Sequence, residues 1–169
     1  HVSVQGFSKV IDFGIAKTTP WSAGTEPGTL KGKFFYMSPE MILAKPVDHR
    51  ADIFAAGVML YEQLCGHRPF TGNSIDEVVM KIARSIPPVP SSYDFSVPAE
   101  LENACMRALK HDRNQRFATL NELVVSIESM GLAATREAVG EYVATLFPAK
   151  TDARRQTLRK ARELDPSNP

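Results

Sequence analysis

Apolar residues recur at helical spacing over most of the chain, and proline, glycine and capping hydroxyls divide them into blocks. From Arg50 to Cys65, Ile53, Phe54, Val58, Tyr61 and Leu64 alternate with small Ala51, Ala55, Ala56 and Gly57. This predicts a helix buried on most sides, with Gly66 as its C-terminal cap. Ser74-Ile75-Asp76-Glu77 has the spacing at which a serine oxygen accepts from first-turn amides while a glutamate reaches back. A second helix is predicted from there to about Arg84, stopped by Pro87, Pro88 and Pro90. Pro98 suits a first helical position, with Leu101, Ala104, Cys105, Ala108 and Leu109 at helical spacing behind it. Thr119-Leu120-Asn121-Glu122 repeats the capping pattern before Leu123, Val124 and Ile127, and Gly131 is predicted to end that helix. Thr135 is predicted to cap a last helix carrying Val139, Tyr142, Val143, Leu146 and Phe147, closed by Pro148.

Strand signal is confined to the start, where Val2 and Val4, then Val10 and Ile11, read as two short β segments joined by a turn at Gln5-Gly6-Phe7. Between Ile15 and Lys33 no period is sustained, and Thr, Ser, Pro and Gly dominate. A loop of that length inside a compact domain is usually functional. From Thr151 the composition shifts to Arg154, Arg155, Arg159, Lys160 and Arg162, interspersed with Asp152, Glu163 and Asp165, which reads as a solvated helix or linker.

Composition changes this picture little. With 43% hydrophobic and 23% charged residues and a formal net charge of +1, the 169 residues give no reason to expect a nucleic-acid or membrane partner for this segment. Cys65 and Cys105 stand far apart among apolar residues, so neither a disulfide framework nor a metal spacing is expected, and a reducing, cytoplasmic compartment is the simplest expectation. His1, His49, His67 and His111 lie singly, without a second ligand at zinc spacing.

The chemistry lies in two short motifs. Asp12-Phe13-Gly14 follows the apolar Lys9-Val10-Ile11, and Tyr36-Met37-Ser38-Pro39-Glu40 closes the loop downstream. A carboxylate at a strand exit is the hard oxygen ligand that a divalent metal requires in phosphoryl transfer. In this order the two motifs resemble the ends of a protein kinase activation segment. Asp52-Ile53-Phe54-Ala55-Ala56-Gly57, the run from Val58 to Phe70, and Asp112-Arg113-Asn114-Gln115-Arg116-Phe117 then follow in family order. The chain resembles the C-terminal-lobe fragment of a bacterial, myxobacterial-like, eukaryotic-type serine/threonine protein kinase.

That resemblance implies a mainly α chain, the C-lobe of the α+β protein-kinase fold, with a short β hairpin at the N-terminus and with the N-lobe and catalytic loop absent. It implies a partial kinase domain over residues 1–131 and a C-terminal helical extension and basic tail over 132–169. ATP and Mg2+ would be the cofactors of the complete kinase, with a protein as substrate and Asp12 as metal ligand and nucleotide-binding residue. Glu40 would pair with Arg116, and Asp52 belongs to a helix whose aspartate accepts from the catalytic loop, a partner expected to be missing here. Thr25 and Thr29 are the activation-loop phosphorylation candidates, since added charge orders such loops by pairing with basic residues. Gly32-Lys33 departs from the Gly-Thr of most serine/threonine kinases. The catalytic base would lie upstream, so none of these residues is expected to be catalytic. The expected function is part of a kinase transferring the ATP γ-phosphate to protein Ser/Thr hydroxyls, with this chain alone inactive. The alternative is a truncated, noncatalytic module that binds proteins through the surface around Ser74 to Arg84.

Overall fold

The computed structural model describes Val2, Ser3, residues 5–8, residues 34–146 and Thr157. Among these, six α-helices follow one another: α1 (Pro39–Ile42), α2 (Arg50–Cys65), α3 (Ile75–Arg84), α4 (Ala99–Ala108), α5 (Leu120–Glu128) and α6 (Arg136–Leu146). Short 3-10 turns occupy Phe34–Tyr36, Pro90–Ser92 and Arg113–Gln115. The described residues contain no strand. The turn expected at Gln5-Gly6-Phe7 is closed by an isolated antiparallel bridge between Val2 and Ser8, while Val4, Val10 and Ile11 of the expected hairpin lie outside the described residues. The chain forms two compact units, Ala23–Ala133 and the pair His1–Ser22 with Ala134–Pro169.

Helix α2 is the axis of the larger unit because its apolar residues point in several directions. Phe54, Val58 and Tyr61 pack with Phe70, Val78, Ile82, Cys105 and Leu109, drawing α3 and α4 against it. Ile53 packs with Ala104, Ala108, Phe117 and Leu123, which brings in α5. Full burial of each large apolar side chain is worth about 1.5–3 kcal/mol. Gly57 is the point of closest approach to α4, where an added Cβ would lie 2.8 Å from the Cβ of Ala108. Gly66 ends α2 at φ 69°, its N–H donating to the Glu62 carbonyl. The Tyr61 hydroxyl reaches out to donate to the Pro88 carbonyl (2.9 Å), anchoring the proline-rich connection.

The capping hydroxyls act where the sequence places them. Ser74 Oγ accepts from the Glu77 N–H (3.1 Å) and Thr119 Oγ1 from the Glu122 N–H (3.2 Å). Each glutamate then reaches one residue beyond the cap, to the N–H groups of Asn73 (2.8 Å) and Ala118 (2.9 Å). Thr135 Oγ1 accepts from the Ala138 N–H and opens α6. Two boundaries differ from expectation. Pro98 is the cap of α4 rather than its first residue; its extended backbone suits that position and its carbonyl accepts from Glu102. Helix α5 stops at Glu128, and Gly131 (φ 67°) closes a further turn by donating to Glu128.

Candidate functional site

Glu40 and Arg116, far apart in sequence, meet in the interior of the larger unit. Pro39 opens α1 with its fixed φ and sets Glu40 in the first turn. Arg116 leaves the turn Arg113–Gln115, which Asp112 caps by accepting from the Asn114 N–H. The two side chains are 7% and 0% exposed and form a bidentate pair, Nη1 to Oε1 at 2.8 Å and Nη2 to Oε2 at 2.7 Å. The other guanidinium hydrogens go to the carbonyls of Lys110 (2.7 Å), Arg50 (2.9 Å) and His111 (3.1 Å). The guanidinium also lies 5.1 Å from the Phe54 ring. Burial works to raise the Glu40 carboxyl, but the Arg116 hydrogen bonds, a backbone hydrogen bond and the adjacent positive charge outweigh it and hold the group below its ordinary value.

A polar layer extends this junction to the surface. Asp48 accepts from Arg50 (2.7 Å) and faces Arg113 (3.4 Å), and Arg50 also donates to Asn114 (2.9 Å). The Arg50 hydrogen bonds hold the Asp48 carboxyl well below the usual carboxylate range. Arg113 donates to the Pro46 carbonyl (2.6 Å), and His49 Nε2 meets the Ala118 carbonyl at 2.8 Å. The loop after α1 is thereby tied to the segment that carries Arg116.

A second cluster fixes the turn just before α1. The Tyr36 hydroxyl donates to Glu62 Oε2 (2.9 Å), and Arg68 Nε donates to Glu62 Oε1 (3.1 Å). The Arg68 guanidinium lies 3.9 Å from the centroid of the Phe35 ring, a cation–π contact. The hydrogen bond to Glu62, with burial, raises the Tyr36 phenol above its ordinary value. Beside this cluster a cavity of about 420 Å3 is lined by Phe34, Phe35, Arg68, Ser74, Ile75 and Val78, together with Gly72 and Asn73. In the sequence Glu62 and Arg68 fall within the longer run from Val58 to Phe70. The available signal was a glutamate near the end of an apolar helix with an arginine shortly after it.

Asp52 lies in the first turn of α2 and is exposed. Asp12, Thr25, Thr29 and Lys33 lie outside the described residues. Among the described residues no group of three or more His, Cys, Asp or Glu side chains is placed to hold a metal ion, and no helix is long and apolar enough to cross a membrane. His49, His67 and His111 each meet a backbone carbonyl, at 2.8, 2.7 and 2.9 Å. Burial pushes the Cys105 thiol up to about 12.

The protein kinase domain family model matches residues 2–126. The probable serine/threonine-protein kinase PknB of Bifidobacterium longum is 34% identical over 171 residues, covering 99% of this chain and 24% of that protein. The tyrosine-protein kinase MasK of Myxococcus xanthus is 36% identical over 129 residues, covering 76% of this chain and 20% of MasK. The serine/threonine-protein kinase Pkn1 of Myxococcus xanthus is 38% identical over 115 residues, covering 68% of this chain and 17% of Pkn1. The chain thus spans a quarter or less of the length of these relatives.

Proposed function

The chain belongs to the protein kinase domain family, and on that premise we propose that it is the C-lobe portion of a bacterial kinase that transfers the γ-phosphate of ATP to serine or threonine hydroxyls of proteins. The observation that carries this reading is the family match over residues 2–126, joined to relatives named as serine/threonine kinases. Phosphoryl transfer depends on positioning and on neutralising charge around the phosphates, which Mg2+ supplies when bound with ATP. Asp12 is our candidate ligand for that metal, a carboxylate of the hard type Mg2+ prefers. Thr25 and Thr29 precede Glu40 in the chain, and the Glu40–Arg116 pair fastens the end of that stretch to the core. Phosphorylation of either threonine would then act on a segment with one end already fixed.

The 169 residues alone are proposed to be inactive, because the glycine-rich loop, the strand lysine and the His-Arg-Asp base of the kinase template are not among them. A second reading, a noncatalytic protein-binding module, draws on the cavity between the Phe34–Tyr36 turn and α3. The test is transfer of labelled γ-phosphate to a mixed polypeptide substrate by the full-length gene product, followed by phosphoamino-acid analysis. Phosphoserine and phosphothreonine, lost in Asp12→Ala, are the expected result. Phosphotyrosine alone would overturn the hydroxyl class. Transfer by the isolated 169 residues, abolished by Asp12→Ala, would overturn their inactivity.

A further inference from the structure

In the smaller unit the turn near the start of the chain meets the start of α6. The turn after Ser3 is tightly closed: Gly6 N–H donates to the Ser3 carbonyl (2.9 Å) and Ser3 N–H to the Phe7 carbonyl (2.8 Å). Ser3 Oγ accepts from the N–H groups of Gln5 (3.3 Å) and Phe7 (3.1 Å). Gly6 adopts φ 75°, and a Cβ there would lie 1.8 Å from the Arg136 carbonyl oxygen, so both its conformation and its surroundings require glycine. From the same residue the Arg136 guanidinium covers the Phe7 ring at 4.3 Å.

Arg136 is the first residue of α6, where the helix dipole is unfavourable to a cation. The helix dipole therefore does not account for an arginine at this position, whereas the half-exposed Phe7 ring beneath it does. The turn lies inside the family match, and α6 begins beyond its end at residue 126.

We propose that Arg136 is a positioning residue, through which α6 straps the Gln5–Phe7 turn, the turn that precedes Asp12 in the sequence. The link to Asp12 rests on the kinase reading above; the strap itself does not. Helix α6 is on this account a working part of the kinase unit, and whatever displaces it loosens the nucleotide side of the reaction.

The test uses the full-length protein with Arg136→Ala, Arg136→Lys and Phe7→Leu. By amide hydrogen exchange, Arg136→Ala and Phe7→Leu should speed exchange at Gly6 and Phe7 about tenfold while the amides of α2 keep their rates, and Arg136→Lys, which retains the cation, should restore part of the protection. In the kinase assay Arg136→Ala should raise KM for ATP about threefold and leave KM for the polypeptide unchanged. Exchange at Gly6 and Phe7 that is unchanged, or raised no more than in α2, would overturn the strap. Faster exchange with an unaltered KM for ATP would overturn the positioning role. A lack of phosphoryl transfer by the unaltered protein would count against the kinase reading, and the exchange rates would then decide the strap alone.

Discussion

Replacing Arg116 by alanine tests the central junction most directly. The side chain is fully buried, and its loss leaves the Glu40 carboxylate, only 7% exposed, without the guanidinium that pairs with it. It also removes the donors to the carbonyls of Lys110, Arg50 and His111 and the guanidinium over Phe54. Breaking a buried pair by deleting one partner costs about 3–5 kcal/mol, chiefly because the other charge is left uncompensated. At about 4 °C per kcal/mol for a unit of this size, Tm should fall by about 12 to 20 °C. Differential scanning calorimetry of the variant beside the unaltered chain measures this. The reasoning makes a second demand: Arg116→Met combined with Glu40→Gln should be less damaging than Arg116→Ala, since no charge is then stranded. A Tm loss of only a few degrees in Arg116→Ala, or a double variant worse than the single one, would refute the argument.

Three further outcomes follow from the same geometry. Because the folded Glu40 carboxyl lies below its ordinary value of 4.5, its stabilisation is present above that pH and lost as pH falls through the lower folded value; urea midpoints should decline in acid, less steeply in Glu40→Gln. Gly57→Ala gains helix propensity of about 1 kcal/mol, yet its Cβ would meet Ala108 Cβ at 2.8 Å and Leu109 Cδ2 at 3.2 Å. Overpacking of about 1–3 kcal/mol should win, seen as a lower urea midpoint, and a rise would show that α4 yields freely. The Cys105 thiol, buried and pushed up to about 12, should resist a disulfide reagent at pH 8 until the chain unfolds, and rapid native labelling at this residue would contradict its burial.

The helices were legible because their signals are local. The apolar run of α2 with Gly66 behind it, and the hydroxyl caps at Ser74, Thr119 and Thr135, act within one or two turns of the residues that announce them. The misplaced boundaries are of the same kind: Pro98 fits a cap as well as a first turn, and Gly131 closes a turn beyond α5 rather than α5 itself. Arg116 could be matched to Glu40 only through the family frame, since no periodicity connects residues so far apart. The Tyr36–Glu62–Arg68 cluster went unrecognised because its meaning depends on which faces of separate elements meet.

The mainly helical content, the order of the elements and the kinase family are legible in the chain alone, since all rest on short-range patterning and on motifs in fixed order. How the polar groups are satisfied emerges only once the chain is folded. Folding gives every Arg116 donor a partner, forms a cavity beside Arg68, and sets Arg136 over Phe7. The physical reason is that apolar burial is non-directional and can be read from composition and period, whereas a buried charge is tolerated only where several distant groups arrive in register.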